Sequence, residues 1–274
     1  MNTKITVIVD NISNDELNLA GEWGLSLLVE YNDRKILLDA GGSSLFLKNL
    51  KGLGFEINNI DYGVLSHSHY DHGNGIPYFF ENNLKAKFYL RDAAADRCYH
   101  RRKIFRVYIG IPKNLLRKYS DRIELVSGDY KLMDGVYLIP HKSAGLESAG
   151  IREKMFVKKN HKWYPDDFAH EQSLVLDTEK GLVILNSCSH GGVENIINEV
   201  QSTFPEKRIY GYIGGLHLFN KSEEEILKVA NILKEKNIEY ICTGHCTKNR
   251  AYGILKNELG DKLEQLKVGL EINI

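Results

Sequence analysis

Residues 66–75 read Ser-His-Ser-His-Tyr-Asp-His-Gly-Asn-Gly and set His67, His69, Asp71 and His72 within six positions. Burying three imidazoles and a carboxylate this close together is costly unless each finds a partner, and a divalent cation satisfies all four at once. On an extended segment His67 and His69 point to one side and can grip one ion. Tyr70 and Asp71 then turn the chain, so that His72 faces a second ion. Gly73 and Gly75 are read as letting the backbone approach the metals with no Cβ in the way. The pattern predicts a metal centre rather than histidines satisfied in an ordinary core.

The surrounding chain is ordinary globular material, with 274 residues, 43% hydrophobic and 26% charged. Lys+Arg and Asp+Glu are both 36, which argues against a global electrostatic footprint for nucleic acid or an anionic membrane. The first ten residues alternate like a strand and do not read as a leader, and no apolar run approaches the ~20 residues of a membrane span. Cys98, Cys188, Cys242 and Cys246 are too few and too scattered for a disulfide framework, so a reducing cytoplasm is expected. With no repeat and no low-complexity linker, residues 1–274 are expected to form one domain.

Apolar, β-branched runs at 5–9, 25–31, 35–39, 62–65, 86–90, 136–139, 173–177, 182–185, 208–213 and 238–242 predict strands. Asn32-Asp33 and residues 177–181 carry hairpin-turn signals. Helical spacing predicts helices at 43–53, 192–203 and 248–259, and a capping box of Ser222 and Glu225 starts another. Hairpins first and strand–helix alternation later point to an α/β (α+β) fold: a four-layer αββα sandwich of two mixed β-sheets flanked by helices. Residues 91–129 break this rhythm. Arg97, Arg101, Arg102, Lys103, Arg106, Lys113, Arg117 and Lys118 alternate there with aromatic residues, which reads as a basic helical insertion. That insertion is either a solvated face or an arm that binds an anionic substrate.

Three further histidines follow predicted strands and sit among small residues: His190 in Ser187-Cys188-Ser189-His190-Gly191, His217 in Gly214-Gly215-Leu216-His217, and His245 in Gly244-His245-Cys246. A two-metal site needs about six protein ligands, and the first cluster supplies four. His190 and His245 are therefore assigned as the remaining metal ligands, with Cys188 as a rival or an addition and His170 as a weaker rival. His217 is assigned to contact with the substrate or transition state. His100, His141 and His161 lack ligand context and read as surface or structural residues. Cys242 and Cys246 flank His245 but lack a fourth partner for a separate structural zinc. Asp39, at the end of an apolar strand, reads equally as a hydrogen-bond acceptor for a ligating imidazole or as a helix-capping or turn residue.

Leu38-Asp39-Ala40-Gly41, Ser66-His67-Ser68-His69-Tyr70-Asp71-His72, Ser187-Cys188-Ser189-His190 and Gly244-His245, in this order, resemble the metallo-β-lactamase superfamily. Within it, the segments around Cys188, His217 and His245, with Ile109-Gly110-Ile111-Pro112, are most similar to the dihydropteroate-synthase-like subgroup, which includes dihydropterin-ribofuranosylaminobenzene phosphate synthase. The resemblance implies a two-sheet sandwich with a dinuclear site at one edge, His67 and His69 serving the first metal and Asp71 and His72 the second. The chain departs from the superfamily pattern in two places. Near Leu185, where most members carry a bridging aspartate, it offers Cys188 and His190, and for the usual third histidine of the first metal the direct candidate is His170.

These readings lead to a metal-dependent hydrolase, or a transferase of the synthase type, acting on a small anionic, phosphate- or pterin-like substrate. Two divalent ions are expected, zinc first, with manganese or iron as alternatives. Metal-bound water with a pKa near ~7 is the expected nucleophile. Asp71 would hold both the ion and that hydroxide, and His217 would neutralise charge developing on the substrate. The alternatives are an iron-binding redox or sensor protein of the same fold, and a phosphodiesterase acting on nucleic acid, which ranks lower at zero net charge.

Overall fold

The computed structural model describes residues 3–274. Its strands form two seven-stranded sheets and a four-stranded one. The first large sheet runs, edge to edge, Glu271–Asn273, Thr3–Val9, Ser26–Tyr31, Arg34–Leu38, Tyr62–Val64, Lys87–Arg91 and Ile123–Val126. The second runs Leu263–Gln265, Tyr240–Thr243, Ile209–Ile213, Gly181–Leu185, Gln172–Thr178, Val136–Pro140 and Tyr130–Met133. In both, hairpin-connected antiparallel strands occupy one part and parallel strands the other.

Alternation along each strand builds the layers. Val7, Leu27, Val29, Ile36 and Leu38 meet Leu174, Leu176, Val183, Leu185 and Ile213 in a core between the two sheets. Their neighbours Ile8, Leu28 and Leu37 turn outward onto Phe46, Leu50 and Phe79 of the helices Leu45–Gly52 and Ile76–Asn82. On the far side Leu182 and Ile184 pack with residues of Val193–Thr203, Glu223–Glu235 and Lys248–Leu259. The result is the expected helix–sheet–sheet–helix order. The capping box is present: Glu225 N–H donates to Ser222 Oγ at 3.2 Å, and Ser222 N–H to Glu225 Oε2 at 2.8 Å. No helix among the described residues is long and apolar enough to cross a membrane.

The basic insertion is not helical as expected. Arg97–Arg102 and Phe105–Tyr108 form a β-hairpin that pairs with a second hairpin, Met155–Lys159 and Lys162–Pro165. Its α-helix is the single turn Leu115–Lys118. Cations and aromatic residues are interspersed along these strands, and Arg106 lies over Trp163 at 4.4 Å and over Phe156 at 5.4 Å. Cross-strand pairing decides the local structure where charge density alone suggested a helix face. The strand end beyond the first hairpin also touches the histidine segment: Tyr70 N–H donates to Ile109 O at 2.8 Å and Ile111 N–H to Ser68 O at 3.2 Å.

Candidate metal centre

Every residue of interest lies just beyond the carboxyl end of a strand in the parallel part of a sheet, where ligand sites of open α/β sheets gather. Asp39 follows Arg34–Leu38, the histidine segment follows Tyr62–Val64, His190 follows Gly181–Leu185, His217 follows Ile209–Ile213 and His245 follows Tyr240–Thr243. Asp39, Ser189, His217 and His245 all hold φ between 45° and 60°. Such left-handed backbone at non-glycine residues collects where a fold over-determines a site. Gly75 is required for packing, because a Cβ there would sit 1.9 Å from Ala40 O, and a Cβ at Gly73 would meet Ile111 at 2.4 Å. These glycines therefore seat the loop against its neighbours and do not clear a path to the metals, as the sequence had suggested.

One buried carboxylate fixes two imidazoles. Asp39 Oδ1 accepts from Ser66 N–H at 2.7 Å, and Oδ2 accepts from Ser66 Oγ at 2.6 Å and from His72 Nδ1 at 2.8 Å. With its hydroxyl proton committed to Asp39, Ser66 Oγ accepts from His67 Nδ1 at 2.9 Å. Both rings thus carry a proton on Nδ1 and turn Nε2 toward the site, where a metal ion can take the place of a proton. Asp39 is a hydrogen-bond acceptor for an imidazole and caps no helix.

The inward-facing nitrogens converge in two groups. Nitrogens of His67, His69 and His190 lie within 4.8 Å of one another, with ring centroids 4.7–4.9 Å apart. Nε2 of His67 and His69 and both nitrogens of His190 are buried with no hydrogen-bond partner. In the second group His72 Nε2 is 3.2 Å from His245 Nε2, and Asp71 Oδ2 lies 3.6 Å and 3.5 Å from these two nitrogens. His245 Nδ1 donates to Asn11 Oδ1 at 3.2 Å, so its Nε2 lone pair faces His72 Nε2 across that 3.2 Å gap, which a proton on His72 or a metal ion in its place can bridge. The partnerless nitrogens of the first group, and the convergence of two imidazoles and a carboxylate in the second, fit one divalent ion at each.

The electrostatics agree. Burial, then the surrounding imidazoles, hold His67 and His190 well below the ordinary histidine range, and burial with His170 holds His69 down to about 3. All three are neutral and ready to ligate. Burial also opposes charge on His72, but the carboxylates of Asp71 and Asp39 raise it to about 9. Asp71 is pushed up by burial and pulled well below the carboxylate range by His72 and His245. A positive charge is favoured between these groups.

The rival ligands separate. His170 Nδ1 accepts from Ser68 N–H at 3.2 Å and its Nε2 faces Asp166 Oδ2 at 3.2 Å, so both nitrogens are engaged. His190, by contrast, brings nitrogens with no hydrogen-bond partner to those of His67 and His69. Cys188 Sγ lies 3.4 Å from His72 Nε2, within reach of the second group. His217 stacks beside His190 with centroids 4.3 Å apart, and neither of its nitrogens has a hydrogen-bond partner.

Sequence reasoning missed the supports. His141 is buried between Glu171 Oε2 at 2.5 Å and Glu199 Oε2 at 2.9 Å, and the Glu171 carboxylate accepts the backbone N–H groups of His190 and Gly191, each at 3.0 Å. Asp10 Oδ2 accepts His245 N–H at 2.9 Å. Asp10, Asn11, Glu171 and Glu199 carry no local motif, so only the three-dimensional structure identifies them. His100, taken as surface or structural, lines the cavity above the histidines, and His161 is exposed as read. That cavity, of about 290 Å³, is also lined by Trp23, Tyr70, Asp71, His190, His217 and Phe219.

Comparison with known proteins gives consistent results. The profile of the metallo-beta-lactamase superfamily matches residues 24–245. The chain is 26% identical, over 98% of its length and 95% of the relative's, to 7,8-dihydropterin-6-methyl-4-(beta-D-ribofuranosyl)-aminobenzene-5'-phosphate synthase of Methanocaldococcus jannaschii. It is 30% identical to protein MJ0448 of the same organism, over 89% of this chain and 90% of the other. Among solved structures, Tm1679, a metal-dependent hydrolase of the beta-lactamase superfamily, superposes with a TM-score of 0.85 at 30% identity, covering 99% of both chains.

Proposed function

Since the chain belongs to the metallo-β-lactamase superfamily, we propose that it is a metal-dependent hydrolase or group transferase acting on a small anionic substrate at a dinuclear centre. His67, His69 and His190 would hold one divalent ion, and Asp71, His72 and His245 the other, with Cys188 in reach of the second. The observation that carries this reading is the set of buried, partnerless histidine nitrogens converging from separate loops. The similarity to a ribofuranosyl-aminobenzene phosphate synthase supports a phosphate-bearing substrate, and the similarity to a metal-dependent hydrolase supports the hydrolytic alternative.

When bound, the ions would supply a hydroxide nucleophile near neutral pH and Lewis-acid polarisation of the substrate. The protein's own part follows from its geometry. Asp39 and Ser66 keep Nε2 of His72 and of His67 pointing inward, and the Glu171 carboxylate holds the backbone of the His190 loop. Asp71 stays ionised among the imidazoles, which suits it to hold an ion and to accept a hydrogen bond from an attacking group. His217, whose ring nitrogens make no hydrogen bond at the cavity wall and whose Nε2 lies 3.8 Å from Glu153 Oε2, can donate to charge developing on the substrate.

The test is turnover of a panel of aryl phosphodiesters and phosphomonoesters, with His69→Ala as control. Chelation should abolish activity, and added Zn²⁺, Mn²⁺ or Fe²⁺ should restore it. Full turnover in protein shown to be metal-free would defeat the proposal.

A further inference from the structure

The 290 Å³ cavity above the histidines opens into a second cavity of about 430 Å³, and His100, Arg102, Met155, His217 and Phe219 line both. The two differ in chemistry. The first carries aromatic residues at its mouth: Trp23 is 37% exposed, Tyr70 41% and Phe219 47%, and Trp23 and Phe219 meet edge to face at 6.4 Å. Lys248 Nζ already lies over part of the Trp23 ring at 4.3 Å and His245 packs on it at 4.9 Å, so the part of Trp23 still exposed, together with Phe219 and Tyr70, is the surface offered to a flat ring.

The second cavity is cationic. Arg101, Arg102, Lys103, Arg152 and Lys154 line it against a single carboxylate, Glu153. Glu153 is already engaged, receiving Lys221 Nζ and, at 3.0 Å, Asn220 Nδ2. Among the described residues no carboxylate pairs with Arg102, Lys103 or Lys154, although the whole chain is neutral. The unpaired charge also reaches the cavity wall, where Arg102 and Lys154, after burial, hold His100 below its ordinary value. Solvated surface cations normally intersperse with acids. Here the first hairpin of the four-stranded sheet and the helix end and turn that lead into the second bring cations to one concavity beside the histidines, and an anion entering there would offset the cost of gathering them.

We infer that the two cavities form one bipartite substrate site. A heteroaromatic ring lies against Trp23 and Phe219 beside the histidines, and a phosphate tail on the same molecule is held by Arg102 and Lys154 in the second cavity. This rests on the proposed function for the identity of the first cavity, but it concerns how the substrate is held and not the metal chemistry. The phosphate is an anchor remote from the reacting centre, and the cationic hairpin is a specificity element.

Calorimetry with three probes tests it: adenosine (ring), ribose 5-phosphate (tail) and adenosine 5′-monophosphate (both). The measurement is made first on protein stripped of metal, so that no ion can bind the phosphate. The monophosphate should bind at least about tenfold tighter than either part at low salt, and its advantage over adenosine should shrink as ionic strength rises. The double variant Arg102→Gln, Lys154→Gln, at exposed positions and checked for folding by thermal unfolding, should lose that advantage. Trp23→Ala should weaken adenosine and the monophosphate alike. Equal binding of adenosine and its monophosphate, an advantage that survives in the double variant, or ribose 5-phosphate binding as tightly as the monophosphate would each overturn the inference. Phosphodiester turnover by metal-loaded protein is measured in parallel. Turnover without the phosphate preference leaves the metal-enzyme reading standing and removes this one, and a preference without turnover does the reverse.

Discussion

Replacing Asp39 by asparagine tests the chain of hydrogen bonds beneath the histidines. The left-handed backbone at Asp39, φ 60°, is one that asparagine also adopts, so the exchange alters chemistry and leaves the turn intact. The buried carboxylate accepts from three donors: Ser66 N–H, Ser66 Oγ and His72 Nδ1. An amide can accept on one side only. If its oxygen faces Ser66 N–H, its NH₂ faces Ser66 Oγ and His72 Nδ1. His72 must then shift its proton to Nε2, and Ser66, now accepting from the introduced amide, donates to His67 and shifts that ring as well. Both inward lone pairs are lost, and metal affinity should fall ~10–100-fold, roughly 1.4–2.8 kcal/mol. If the amide flips, its NH₂ opposes Ser66 N–H and leaves that buried donor unsatisfied, costing ~1–3 kcal/mol of fold stability. Chelator competition for Zn²⁺ reads the first outcome, and urea unfolding of the metal-free variant reads the second. Ser66→Ala releases only the His67 ring and should weaken one ion and spare the other. An Asp39→Asn protein with wild-type affinity and wild-type stability would refute the reasoning.

Other predictions follow from the same geometry. Burial disfavours charge on His141, but hydrogen bonds to Glu171 and Glu199 raise it to about 9 from an ordinary 6.5. Its contribution to stability is therefore complete below pH ~6.5 and lost as pH rises through ~9, on the order of 3 kcal/mol for a group this buried. Urea unfolding of the metal-free protein should show that loss between these pH values, and His141→Gln should reduce the slope while His72 and His170, also raised, keep the remainder; equal slopes would remove His141 as a cause. Gly75→Ala forces a Cβ to 1.9 Å from Ala40 O and should cost about 3 kcal/mol in denaturant unfolding, with a neutral result contradicting the close packing. Cobalt-loaded wild type should show a thiolate-to-metal charge-transfer band that Cys188→Ser lacks, since Cys188 Sγ lies 3.4 Å from His72 Nε2. An unchanged spectrum would exclude Cys188 from the second ion.

Much of this fold was legible because its strands alternate cleanly. Leu182 and Ile184 face helices while Val183 and Leu185 face the opposite sheet, and the same period runs through 5–8, 25–31 and 35–38, broken only at the bulge that brings Val9 to the side of Ile8. The histidine segment was legible because ligand types crowd into six positions. The segment at 97–108 was misread because its strands are mostly exposed and their apolar partners, Phe156 and Trp163, lie some fifty residues on. In the sequence His190 ranks above His170 because it follows a strand among small residues, and the Ser68 N–H and Asp166 contacts at His170 are what the sequence could not show. Asp10, Asn11 and Glu171 act on backbone groups and ring nitrogens far away in sequence, and no local pattern marks such roles.

The central claim is that the two groups of converging histidine nitrogens are ligands, and anomalous diffraction at the zinc absorption edge from crystals grown with Zn²⁺ tests it most directly. The account predicts one peak bounded by His67, His69 and His190 and a second bounded by Asp71, His72 and His245. Crystals with no anomalous density at either group, and ordered water on the histidine nitrogens instead, would contradict it.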